Sequence, residues 1–122
     1  MYKYYNANAV NRYTDDCVIR AISCATNKSW DHVYDYLSDI AQHEGTLFDQ
    51  RDFVRSYLDR TYTRLYGLHG TVGEVAAMFP NDTLLITMRG HITCSKGTKN
   101  GSVIYDTFDP RDRQVESVWL VD

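Results

Sequence analysis

Hydrophobic positions along the chain follow one spacing in its first two-thirds and another after Thr83. Cys17 to Ala25 (CVIRAISCA) contains no Gly or Pro, and Thr14-Asp15-Asp16 ahead of it supplies capping side chains, which predicts a helix. Cys17, Ala21 and Cys24 fall on one face of that helix, with Val18, Ile22 and Ala25 beside them, so most of it should be buried. Ser29 can cap a second helix on which Trp30, Val33, Leu37 and Ile40 recur every three or four residues, ending before Gly45. Trp30, Tyr34 and Tyr36 are assigned to the core and surface of this helix. A third helix starts at Asp49, with Phe53, Val54, Tyr57 and Leu58 inward. Thr71-Val72-Gly73-Glu74 has the spacing of a capping box and opens a short fourth helix that must stop at Pro80.

From Thr83 onward the pattern is of short β-prone runs: Thr83 to Met88, His91 to Ser95, Ser102 to Thr107 and Val115 to Val121. Lys96 to Gly101 is a turn-rich connector whose Asn100-Gly101 pair suits a hairpin, and Asp109-Pro110-Arg111-Asp112 is a second turn. The expected fold class is therefore α+β, a helical half followed by an antiparallel sheet of about four strands, in one domain over residues 1–122.

Composition narrows the function. Apolar residues are 43% of the 122, enough for a core. The net charge of −3 has no run of like charges behind it, which argues against a nucleic-acid or anionic-membrane partner. The longest apolar run, Val75 to Phe79, is far short of the roughly 20 residues that span a bilayer. The polar, tyrosine-rich start lacks the apolar stretch of a secretion signal, so a cytoplasmic protein is expected. Three cysteines (Cys17, Cys24, Cys94) are an odd number without a CxxC pair, and four histidines (His32, His43, His69, His91) lack metal-ligand spacing. No disulfide framework, metal or cofactor is expected.

Three residues stand out for chemistry. Cys17 is placed at a helix start, where free N–H groups and the helix dipole favour a thiolate, although Asp15 and Asp16 would oppose this if they faced the sulfur. His91 follows Gly90 at the start of a strand. Asp106 comes 15 residues later, near the end of the next strand across a predicted hairpin, with Asp109 as an alternative three residues on. A cysteine hydrolase needs a thiol that attacks a carbonyl, an imidazole that takes and returns the proton, and a carboxylate or amide that holds the imidazole tautomer. Cys24 and Cys94 are assigned to the core, and Arg20, one turn after Cys17, to an ion pair with Asp16 or Asp106 or to a solvated helix face.

The string Asp15-Asp16-Cys17-Val18-Ile19-Arg20-Ala21-Ile22, followed by Gly90-His91 and Ile104-Tyr105-Asp106-Thr107-Phe108-Asp109, resembles the papain-like cysteine peptidase superfamily. In particular it resembles small phage and prophage proteins of that fold, over roughly residue 6 to the C-terminus. The resemblance implies a papain-like fold with the nucleophile helix first, and a Cys17-His91-Asp106 triad. It also implies an oxyanion-hole amide, usually Gln, a few residues before the nucleophile; Asn11, with a shorter side chain, stands six before Cys17. The expected function is a thiol hydrolase of peptidase or isopeptidase type, acting on a peptide or protein, in the host cytoplasm if phage-encoded. The alternative is a catalytically silent papain-like module that binds a host or phage protein.

Overall fold

A computed structural model describes residues 1–8 and 16–121. In chain order the elements are β1 (Tyr2–Tyr4), α1 (Cys17–Thr26), α2 (Trp30–His43), α3 (Arg51–Thr61), β2 (Thr63–Leu65), α4 (Val72–Ala77), β3 (Thr83–Met88), β4 (His91–Thr98), β5 (Gly101–Asp106) and β6 (Ser117–Val121). The protein is α+β, with four helices and one mixed sheet of six strands in the order β1-β5-β4-β3-β6-β2.

The helix ends follow local chemistry. Ser29 Oγ accepts from the His32 amide at 3.1 Å and starts α2. The expected capping box of α4 is complete: Thr71 Oγ1 accepts from the Glu74 amide at 3.2 Å, and Glu74 Oε1 accepts from the Thr71 amide at 2.9 Å. Two expectations shift slightly. α3 begins at Arg51 behind a Gln50 cap, not at Asp49. β4 continues through Gly97 to Thr98, so the turn into β5 is only Lys99-Asn100, and Gly101, at φ +104°, is the first residue of β5.

The sheet corrects the sequence reading in number and direction: it has six strands, not about four, and it is mixed, not antiparallel. Both extra strands are three-residue edges. β1 runs parallel to β5, pairing Tyr2 with Ile104 and Tyr4 with Asp106. β2 lies antiparallel to β6, pairing Thr63 with Leu120 and Leu65 with Val118. Three residues are too few to display an alternating pattern, and what makes them strands is a partner tens of residues away.

Consecutive residues of β3 point to opposite faces, and both faces are covered. Leu85 joins Ile92, Cys94 and Trp119 beneath α1, α2 and α3, where Ile19, Leu37 and Leu58 are fully buried. Leu84, Ile86 and Met88 join Ile104 and Val118 beneath α4 on the other side. A sheet buried on both faces explains why β3 reads as an almost unbroken apolar run. No helix among the described residues is long and apolar enough to cross a membrane.

Candidate active site

Cys17 is the first residue of α1, and the seven buried residues from Val18 to Ala25 that follow it seat this helix in the core. The thiol is held at the rigid helix's exposed tip, where it remains half-buried. N–H groups in the first turn of a helix have no carbonyl of their own helix to bind, which puts a positive field at that end. Asp16, expected among the capping side chains, occupies the cap position but makes no side-chain cap hydrogen bond. Its carboxylate is buried and engaged elsewhere, by an ion pair with Arg20 and by the Trp30 Nε1 donor at 2.8 Å. Of the two partners weighed for Arg20, Asp16 is the one observed. Trp30 itself is buried and stacked on Tyr34, with ring centroids 5.0 Å apart.

His91 opens β4 directly after the tight turn Arg89-Gly90, where Gly90 adopts φ +70°. Asp106 closes β5, the next strand of the sheet. Their side chains meet: His91 Nε2 and Asp106 Oδ2 are 2.7 Å apart, with the two side chains only 10% and 4% exposed. The other carboxylate oxygen accepts from the Thr107 amide at 2.7 Å, and the Asp106 carbonyl accepts from Tyr5 N at 2.8 Å and Tyr2 Oη at 3.0 Å. Asp106 is thus anchored from both sides by the chain start and by its own strand end. The Phe108 ring packs against the imidazole, with centroids 4.8 Å apart, and the Arg113 guanidinium lies over the Phe108 ring.

Cys17 lines one cleft with the same imidazole and stands close enough for its thiol to act on it. With Nε2 occupied by Asp106, the nitrogen left for the thiol is Nδ1. Burial works against the imidazolium most strongly, but the hydrogen bond to Asp106, the nearby Cys17 thiol and the negative charges of both together outweigh it, and His91 is raised from 6.5 to about 9. A folded-state value above the unfolded one means that this proton favours the fold fully below pH 6.5, and that its contribution fades as pH rises through about 9. An Asp106→Ala protein should therefore show the His91 ring titrating lower by about one unit or more. The midpoint of the His91 Cε1–H resonance, followed by NMR against pH, reads this directly, and an unmoved midpoint would remove Asp106 as the cause.

The second acidic candidate is not part of this cluster. Asp109 forms a side-chain pair with Arg111, Nη2–Oδ2 2.7 Å and Nε–Oδ1 2.9 Å, and its Oδ1 also accepts from the Arg111 amide at 3.1 Å. Those bonds hold its carboxyl below the usual range and build the turn before Pro110. Asn11, the oxyanion candidate, lies outside the described residues. Cys24 and Cys94 are buried, as expected for core residues.

A cleft of about 270 Å³ opens at Cys17 and His91. Val18, Val54, Met88 and Trp119 make its apolar walls, and Arg51 of α3 approaches Glu116 at 4.0 Å across the rim. Sequence reasoning missed this contribution from α3 and β6. Val54 and Trp119 carried the signal of core residues, and nothing local distinguishes a core wall from a cleft wall. No protein-family model, curated protein or solved structure matches the chain. Among the described residues no group of three or more His, Cys, Asp and Glu side chains is arranged to hold a metal ion.

Proposed function

We propose that the protein is a papain-like cysteine hydrolase that cleaves an amide bond of a peptide or protein, with Cys17 as nucleophile, His91 as proton carrier and Asp106 as the residue that orients His91. The observation that carries this reading is the single imidazole shared between the thiol at the tip of α1 and the buried carboxylate at the end of β5. A histidine at about pKa 9 holds its proton at neutral pH, which suits a thiolate–imidazolium pair.

In this mechanism the Cys17 sulfur attacks the acyl carbon, and the carbonyl oxygen becomes an oxyanion. The first-turn N–H groups of α1 are the described donors closest in the chain to that charge. The imidazolium of His91 protonates the leaving amine as the C–N bond breaks, which leaves a thioester on Cys17. Neutral His91 then takes a proton from water, the hydroxide attacks the thioester, and the acid product leaves with the thiolate restored. Asp106 keeps Nε2–H pointed at itself throughout, so that Nδ1 always faces the sulfur. The apolar cleft beside Cys17 would receive a side chain of the substrate.

Alkylation of the folded protein by iodoacetamide, resolved by mass spectrometry, tests the chemistry before any substrate is known. Cys17 should react at least about tenfold faster than Cys24 or Cys94, and His91→Ala should slow it at neutral pH. Equal reactivity of the three thiols, or no effect of His91→Ala, would overturn the proposed mechanism.

A further inference from the structure

The other two thiols of the chain lie in one buried cluster. Cys24 lies on α1, seven residues after Cys17, and Cys94 lies on β4, three residues after His91. Both are free thiols, both belong to the same buried cluster where α1 packs on β4, and each lies close enough to shift the other's titration. Cys94 is completely enclosed, whereas Cys24, 5% exposed, also lines an open cleft of about 480 Å³ that shares no lining residue with the one at Cys17. Lys28 and Lys96 stand in that cleft with Tyr5 and Tyr105, and Lys96 is held there by a 2.7 Å bond from Nζ to Asn27 Oδ1.

We propose that Cys24 and Cys94 form a modification site at which a small peroxide converts the two thiols into a disulfide joining α1 to β4. Three features support it. Their place in one packed cluster, where α1 lies on β4, holds the two thiols together and shortens the search step that limits most disulfide formation. The two thiols are unlike. The neighbouring Cys94 thiol lowers the pKa of Cys24, with help from Lys96 and against the effect of burial, while Cys24 and burial push Cys94 well up. One sulfur is therefore biased toward the attacking thiolate and the other toward the resolving thiol. The third feature is access, since the biased sulfur is the one that reaches a cleft.

The chemistry balances with the peroxide as the only oxidant. The Cys24 thiolate attacks one peroxide oxygen, an S–O bond forms, the O–O bond breaks, and the departing hydroxide takes up the proton Cys24 had released to become water. Cys94 then attacks the sulfenic sulfur: the S–S bond forms, the S–O bond breaks, and the leaving hydroxide takes the Cys94 proton as a second water. Two thiols lose two electrons and one peroxide gains them.

The test uses the full chain with Cys17→Ser, which leaves only these two thiols, treated with a small excess of hydrogen peroxide and then blocked with N-ethylmaleimide under denaturing conditions. The expected result is a mass lower by two hydrogens with no maleimide added, and a cross-linked tryptic pair of residues 21–28 and 90–96 that dithiothreitol separates. With Cys94→Ser added, Cys24 should stop at the sulfenic acid and be trapped by dimedone. If that variant does not fold, the Cys17→Ser arm decides alone. The oxidised protein should also melt several degrees above the reduced one, because the bond closes a long interval of chain. Two maleimides on the peroxide-treated protein, or dimedone on Cys24 while Cys94 is intact, would overturn the proposal. Neither arm depends on Cys17 turning over a substrate.

Discussion

Replacing Cys17 with alanine is expected to abolish the proposed hydrolysis while leaving the protein folded. The side chain sits half-buried at the helix tip, outside the well-packed stretch that begins at Val18, so its loss should cost on the order of 1 kcal/mol. That is small against the 5–15 kcal/mol typical of a domain, and the melting temperature should move by only a few degrees. Loss of the proposed nucleophile, by contrast, would remove the covalent route and should lower the rate by several orders of magnitude. Fluorogenic peptide cleavage and thermal denaturation, measured on wild type and Cys17→Ala side by side, separate the two effects. Full biological effect retained by a folded Cys17→Ala protein would move the reading to a binding module built on the same scaffold.

The largest effect on stability is expected at a glycine far from this chemistry. Gly97 lies inside β4, where its amide donates to the Asp82 carbonyl at 2.9 Å and the strand is pressed against the segment between α4 and β3. A Cβ built there would stand 2.5 Å from the Asn81 carbonyl carbon, 2.6 Å from its Cα and 2.6 Å from the Pro80 oxygen. All three obstacles are backbone, so no side chain can rotate away, and one of two paired segments must move. Gly97→Ala should therefore cost about 3 kcal/mol or more, a large share of domain stability, and lower the melting temperature by roughly 10 °C. Urea denaturation monitored by circular dichroism would read it. A midpoint equal to wild type would mean that the Pro80–Asp82 segment yields freely.

The two variants probe different kinds of information in the chain. The starts of α2 and α4 were legible because a cap is a local contract between residues three apart: Ser29 with His32, and Thr71 with Glu74, need no knowledge of the rest of the fold. The four longer strands were legible because apolar residues in them alternate or run unbroken between turn residues. β1 and β2 were not, since Tyr2 becomes a strand residue only by lying beside Ile104, and Thr63 only by lying beside Leu120. Gly97 looked like part of a loop for a related reason. A glycine in a turn-rich hexapeptide carries the same letter whether it supplies a bend or, as here, makes room for a neighbouring backbone.

Within the candidate site, residue types and order were readable, and so was the nearness of His91 to Asp106, because adjacent antiparallel strands bring residues 15 apart together. The choice between Asp106 and Asp109 was not. It rests on where β5 ends: Asp106 is its last paired residue and faces His91, while Asp109, past the end, is taken by Arg111 two residues on. The meetings of Cys17 with His91 and of Cys24 with Cys94 join positions 70 or more residues apart. Local propensity and periodicity act over a few residues and set which segments become helix or strand. Which of their side chains touch depends on burying α1 against β4, and that packing is a property of the whole core.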